Sequence, residues 1–201
     1  VPALKAGGAP ALAAELESDK AARDDVRVAA AAVAAADPLP QGGVKLSLLQ
    51  FACRHYDLAL PTLDPAKREG VVEAYSGVLE MVLLTCPAAA RADVTASLVG
   101  LYLDRVDDAL VSRDVAKATK LHAKVKSVTA SLKTGDPLHV EVEAVGKEVK
   151  SLSNAEADFE RWKKKYDASP ADPAACLGLA LCHVRAGRLA DAGPLFRASG
   201  S

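Results

Sequence analysis

Aromatic residues are scarce in this chain of 201 residues, which carries three phenylalanines, four tyrosines, one tryptophan and a single methionine. Runs of β-branched residues of strand length, bounded by turns, are missing too, which argues against a sandwich or barrel. Half the residues are nonetheless apolar, alanine prominent among them, so the fold class expected is all-α, with helices packed on helices.

An excess of one charge is also lacking. Lys and Arg number 25 against 26 Asp and Glu, divided 9 to 12 over the first hundred residues and 16 to 14 over the remainder. So even a split leaves no footprint for a polyanion, and nucleic acid is not expected as a partner. Long apolar runs are absent: the stretch Val26 to Ala36, with Arg27 inside it, falls far short of the roughly 20 residues that cross a bilayer, so no membrane insertion is expected. Cys53, Cys86, Cys176 and Cys182 lack CxxC spacing and sit in apolar, helical surroundings, where a buried free thiol is the ordinary state. With no Met before Val1 and an end at Ser199-Gly200-Ser201, the chain reads as a piece of a longer protein.

Catalytic patterns are missing as well. His55, His122, His139 and His183 show no ligand spacing such as HExxH. The neighbours Cys182 and His183 would point about 100° apart on a helix and could not easily share one ion. Gly7-Gly8 and Gly42-Gly43 lack a phosphate-cradling pattern, and Asp24-Asp25 and Asp107-Asp108 are adjacent rather than convergent. No catalytic residue, metal or cofactor is therefore expected, and the chain is not read as an enzyme.

What is present is a succession of helices. Alanine-rich segments from Pro10 to Glu17 and from Ala21 to Ala36 make an N-terminal region, residues 1–42, ended by the loop Leu39 to Gly43. Residues 43–168 hold longer helices: Val44 to about Arg54, Pro65 to about Leu84 behind Asp64 as N-cap, Pro87 to about Val111, and Val115 to about Leu132 with Gly135 as its cap. The longest should run from Pro137 to Tyr166, with Leu138, Val142, Val145, Val149, Leu152, Ala155, Phe159, Trp162 and Tyr166 along one seam. The steps alternate four and three with one stutter at Ala155, as in a coiled coil. This element is expected to be the spine against which an earlier helix pair packs; an obligate coiled-coil dimer is the competing reading.

The last region, residues 169–201, specifies a packing arrangement. Cys176, Leu179, Ala180, Gly187, Leu189, Ala192 and Phe196 fall at the offsets of one tetratricopeptide repeat, which this stretch resembles. The departures are His183, where the family sets an aromatic, and Pro194 inside the second helix. Arg54 to Ala59 and Arg113 to Ala118 echo the turn, with Ala59 and Ala118 in the place of Ala192, but the alanines are unevenly spaced and no strict period holds. The whole also resembles the helical, TPR-like segments of large bacterial multidomain proteins.

The resemblance implies one continuous stack of antiparallel helical hairpins, an irregular α-solenoid of roughly seven or eight helices. Its expected role is protein–protein interaction or scaffolding, with a peptide, a protein or a flanking domain as partner; the alternative is a spacer that binds nothing. Candidate partner-binding residues are Tyr102, Arg105, His183 and Arg185, together with the basic and aromatic run Trp162, Lys163, Lys164 and Lys165. That run equally suits a helix end, where cations complement the dipole and Trp162 belongs to the seam. The apolar edge of Leu195 and Phe196 is expected to await a further helix.

Overall fold

The computed structural model describes residues 10–17, 24–130, 132–133 and 135–200. Among them are nine α-helices, two short 3-10 turns and no strand. The helices are α1 Pro10–Glu17, α2 Asp25–Ala36, α3 Gly43–Ala59, α4 Pro65–Thr85, α5 Arg91–Val111, α6 Val115–Thr129, α7 Pro137–Ala168, α8 Pro173–Arg185 and α9 Leu189–Ser199. The chain forms two compact units, one ending at Tyr102 and one starting at Leu103, so that the division falls inside α5.

In the N-terminal unit, α1, α2, α3 and α4 pack as sequential neighbours. Asp24 caps α2, its carboxylate accepting from the backbone N–H of Val26 and Arg27; the expected start at Ala21 lies outside the described residues. Val28, Ala29, Ala32 and Ala36 are wholly excluded from solvent. Their short side chains let α2 and α3 approach closely, a contact that bulkier residues would hold apart.

Helix α3 does not stop at Arg54. It continues to Ala59, and Leu60–Thr62 adds one 3-10 turn. The apparent turn from Arg54 to Ala59 is thus continuous helix, because Leu49, Ala52, Tyr56 and Ala59 prolong the buried stripe at steps of three and four. Helix α4 has the expected limits, with Val72, Tyr75, Val78, Leu79 and Val82 buried. Asp64 occupies its N-cap without a side-chain cap bond, and Pro65 takes the first turn. Pro87 precedes a 3-10 turn, Ala88–Ala90, so the α-helix begins at Arg91. The buried face of α5 takes in Leu98, Val99, Tyr102, Leu103, Val106 and Ala109.

In the C-terminal unit α7 is a spine, though not for an earlier helix pair: one earlier and one later helix lie on it. Its 32 residues extend about 48 Å at 1.5 Å per residue, and both α6 and α8 pack against it. Helix α6 ends at Thr129, whose hydroxyl bonds the Val125 carbonyl. Gly135 lies well beyond that end and is not among the positive-φ glycines, so it does not serve as the cap.

Helices α8 and α9 form a tight hairpin. Asp172 caps α8 by accepting from the Ala174 N–H, and the turn places Gly187 at φ 73°, a left-handed conformation that a side chain would strain. Cys176 and Ala180 are fully buried and Ala192 nearly so, which brings the two backbones together. Pro194 lies inside α9 and removes the donor that would reach the Ala190 carbonyl. The edge of Leu195 and Phe196 is not open: both pack into a cluster with Leu179, Ala180, Phe159, Trp162 and Tyr166. The exposed apolar stripe lies on α8 instead, at Leu177, Leu181 and Val184.

Candidate functional site

The spine is flanked by two close contacts in which a ring lies where a glycine has no side chain. On one flank Trp162 of α7 covers Gly178 of α8 so closely that a Cβ there would lie 2.2 Å from the indole. On the other, His122 of α6 covers Gly146 of α7, where a Cβ would meet the ring at 2.7 Å. The His122 Nε2 also lies 3.1 Å from the Val142 carbonyl, to which an Nε2–H donates. These contacts draw α6 and α8 onto the spine from both sides.

Toward the middle of α7 the flanking helices are bridged by their turns. Arg113, at the start of α6, donates from Nη2 to the Ala186 carbonyl at 3.1 Å. Arg113 itself has φ 58°, the one described non-glycine residue with positive φ. It stands five residues before buried Ala118, as Gly187 stands five before buried Ala192, so two of the three turns compared in sequence share a left-handed residue at the same offset.

Beside that bridge is a recess of about 780 Å³. Leu152, Ala155 and Phe159 of α7 line it, with Leu110, Val115 and Cys182 around them. Ala155 is the stutter of the seam and is exposed between half-buried Leu152 and Phe159. A large residue at that step would have filled the space; alanine leaves it open. Glu148, Glu156, Asp158 and Glu160 line the recess from α7, while Arg113 and Arg188 line it from the two turns and Arg185 from the end of α8.

Phe159 is held from two sides, by the edge of His183 at 5.5 Å between ring centroids and by the Arg188 guanidinium 4.8 Å above its ring. His183 therefore does the packing work of an aromatic. Its Nδ1 is 3.5 Å from Asp191 Oδ2, an electrostatic contact that does not satisfy hydrogen-bond geometry. Arg185 is largely exposed and its Nη1 is 3.9 Å from Asp158, a loose pairing of small energetic weight.

The other sequence-derived candidates do not gather here. Tyr102 is fully buried and its hydroxyl donates to Glu80, so it offers nothing to a partner. Arg105 is half-buried, with its Nε out of solvent and unbonded among the described residues. Trp162 is spent on Gly178, and the Lys165 ammonium lies 4.4 Å over its ring. Lys163 is paired with Asp167 at 2.7 Å and Lys164 is exposed. Lys163 and Lys165 are thus engaged on their own helix, while Lys164 faces solvent. Sequence reading missed Arg113 and Arg188; the one available signal was the stutter at Ala155, which marked where the seam opens.

All four cysteines are free, three buried and Cys53 half-buried. Burial, and then the nearby Asp57 carboxylate, push the Cys53 thiol up to about 12. Burial and then Asp158 raise Cys182. Both are held as neutral thiols, the unreactive form. Among the described residues, no three His, Cys, Asp or Glu side chains converge as a metal site would require, and no helix is long and apolar enough to cross a membrane. Comparison of the chain with family models, with curated proteins and with solved structures gave no match.

Proposed function

We propose that this chain is a non-catalytic protein–protein interaction segment, built in its C-terminal unit as an irregular, TPR-like pair of helical hairpins, and that the recess at Ala155 is its binding face. One observation carries the reading. An apolar floor of Leu152, Ala155 and Phe159 stays open among carboxylates of α7 and arginines from the end of α8 and the turns, whereas a spacer has no use for an unfilled apolar hollow. The left-handed residues five positions before Ala118 and Ala192 support the repeat-like description. The partner is a protein or peptide segment, whether from another chain or from a flanking part of the same one.

Selection from a displayed peptide library on the immobilised chain tests this. Enriched sequences should lose binding by about tenfold or more when Ala155→Arg closes the floor, with helix content unchanged by circular dichroism. A selection that enriches nothing, or enriches sequences indifferent to Ala155→Arg, returns the chain to the spacer reading.

A further inference from the structure

The walls of the recess say what form of partner it suits. The α7 wall is the interior of a helix, whose backbone groups are already bonded to one another, and at the turn the Ala186 carbonyl is taken by Arg113. The lining includes no Asn or Gln, the side chains that pair with both the N–H and C=O of an extended peptide. A strand entering here would bury backbone groups without partners, which costs more than the contact returns. A helix brings its backbone already satisfied.

The charges say how that helix is decorated. Glu148 and Glu160 lie twelve residues apart on α7, about 18 Å or somewhat over three helical turns. Glu148, Glu156 and Glu160 make no ion pair among the described residues, and Arg188 is engaged with the Phe159 ring rather than with a carboxylate. The carboxylates come from α7, with Asp158 loosely paired to Arg185, and the guanidiniums come from the end of α8 and the turns, which leaves a slot that disfavours a helix of either single charge.

We propose, resting on the interaction reading above, that the recess receives an amphipathic helix of about three turns from a partner protein. Its apolar stripe sits on Leu152, Ala155 and Phe159. One edge carries lysine or arginine against Glu148, Glu156 and Glu160, and the other carries carboxylates against Arg185 and Arg188. This is helix-in-groove recognition with a two-signed rim.

The test uses fluorescently labelled synthetic helices of about 16 residues with a common leucine stripe. One has a lysine edge and a glutamate edge, one has lysine on both edges, one has glutamate on both, and a fourth is the mixed peptide with a central proline. By anisotropy the mixed helix should bind the chain, with each single-sign helix and the proline peptide about tenfold weaker. Arg185→Glu with Arg188→Glu, both at exposed positions, should move the preference to the all-lysine helix. Equal binding of the mixed and proline peptides, no shift in preference with the double variant, or no binding by any helix each overturns the proposal. If library-selected extended peptides bind at Ala155 while helices do not, the partner class is wrong and the interaction reading stands. If neither binds, both fall together.

Discussion

In the N-terminal unit the helices are tied by hydrogen bonds between side chains, whereas in the C-terminal unit rings lie in spaces that glycines leave open. His55, buried on α3, holds Asp25 of α2 at 2.7 Å, Tyr75 of α4 donates to Asp57 of α3 at 2.6 Å, and Tyr102 donates to Glu80. On the spine α7 the side-chain tie to α6, Lys126 to Glu143 at 3.2 Å, joins two exposed groups, and the close contacts are Trp162 on Gly178 and His122 beside Gly146. The two means fail differently. A polar tie is lost when one partner is removed and the other stays buried, while a glycine notch is lost when volume is added.

The largest effect should come from adding volume in the C-terminal unit. In Gly178→Ala the new Cβ would meet the indole at 2.2 Å, and Trp162 is packed against Leu179, Ala180 and Leu195, so the whole ring must shift. Overpacking of this kind costs about 1–3 kcal/mol, against roughly 1 kcal/mol gained by replacing glycine in a helix. With several indole atoms within 2.5 Å of the new Cβ the cost falls at the upper end of that range, about 3 kcal/mol, so a net loss of about 2 kcal/mol in urea unfolding is expected. In a Trp162→Ala background the clash has no partner, and the same substitution should stabilise by about 1 kcal/mol. Equal costs in both backgrounds would sink the notch interpretation.

Removing a partner in the N-terminal unit should cost somewhat less and should be asymmetric. Asp57→Ala leaves the Tyr75 hydroxyl, on a side chain only 5% exposed, without its acceptor, a loss of about 1.5 kcal/mol. Tyr75→Phe removes the hydroxyl and leaves Asp57, which is exposed, to water, at about 0.5–1 kcal/mol. Thermal melts of the two variants measure the difference; if Tyr75→Phe proves the more damaging, the tie is not what holds α4 to α3.

Both means of attachment were hard to read from sequence, and for related reasons. Helix limits were legible where Pro, Asp and apolar spacing act within a few residues, as at Pro65, Pro137 and Asp172. Helix α3 was cut short at Arg54 because His55, Tyr56 and Asp57 look polar one at a time; their buried stripe shows only once Asp25 and Tyr75 come near, from residues far away in the chain. Gly146 and Gly178 gave no local signal, since a helical glycine has the same backbone whether or not a ring lies over it. The recess was half legible: Ala155 broke the seam on the page, but Arg113 and Arg188 reach it from turns that only the packing of α6 and α8 brings there.

Alkaline pH should distinguish the units next. Burial, followed by Asp57, raises both Cys53, to about 12 from 9.0, and Tyr75 above its ordinary 10.0, and burial with Cys53 raises Tyr56. All three are acids that the fold keeps neutral, so the unfolded chain releases these protons first. Their stabilisation is whole below about pH 9 and is lost as pH rises through the folded values, since there the unfolded state binds fewer protons. The C-terminal unit has one thiol so raised, Cys182. Limited proteolysis at about pH 8 and about pH 10.5 should therefore show cleavage within residues 43–85 increasing before cleavage within residues 137–199. The reverse order would mean that the buried tyrosines and Cys53 do not govern the N-terminal unit's response.

The smallest effect is expected at the second glycine, and it tests whether the two notches are alike. In Gly146→Ala the Cβ would come within 2.7 Å of His122 Cε1 and Nε2, but those atoms are the far end of a half-buried side chain that can turn away. Turning away gives up the bond to the Val142 carbonyl, about 1 kcal/mol, while alanine returns about 1 kcal/mol of helix propensity. The net change in urea unfolding should be within about 0.5 kcal/mol of zero, because the opposing terms are equal in size. A loss as large as that of Gly178→Ala would show that His122 is clamped as firmly as Trp162, and that α6 is fixed to the spine by the same rigid contact as α8.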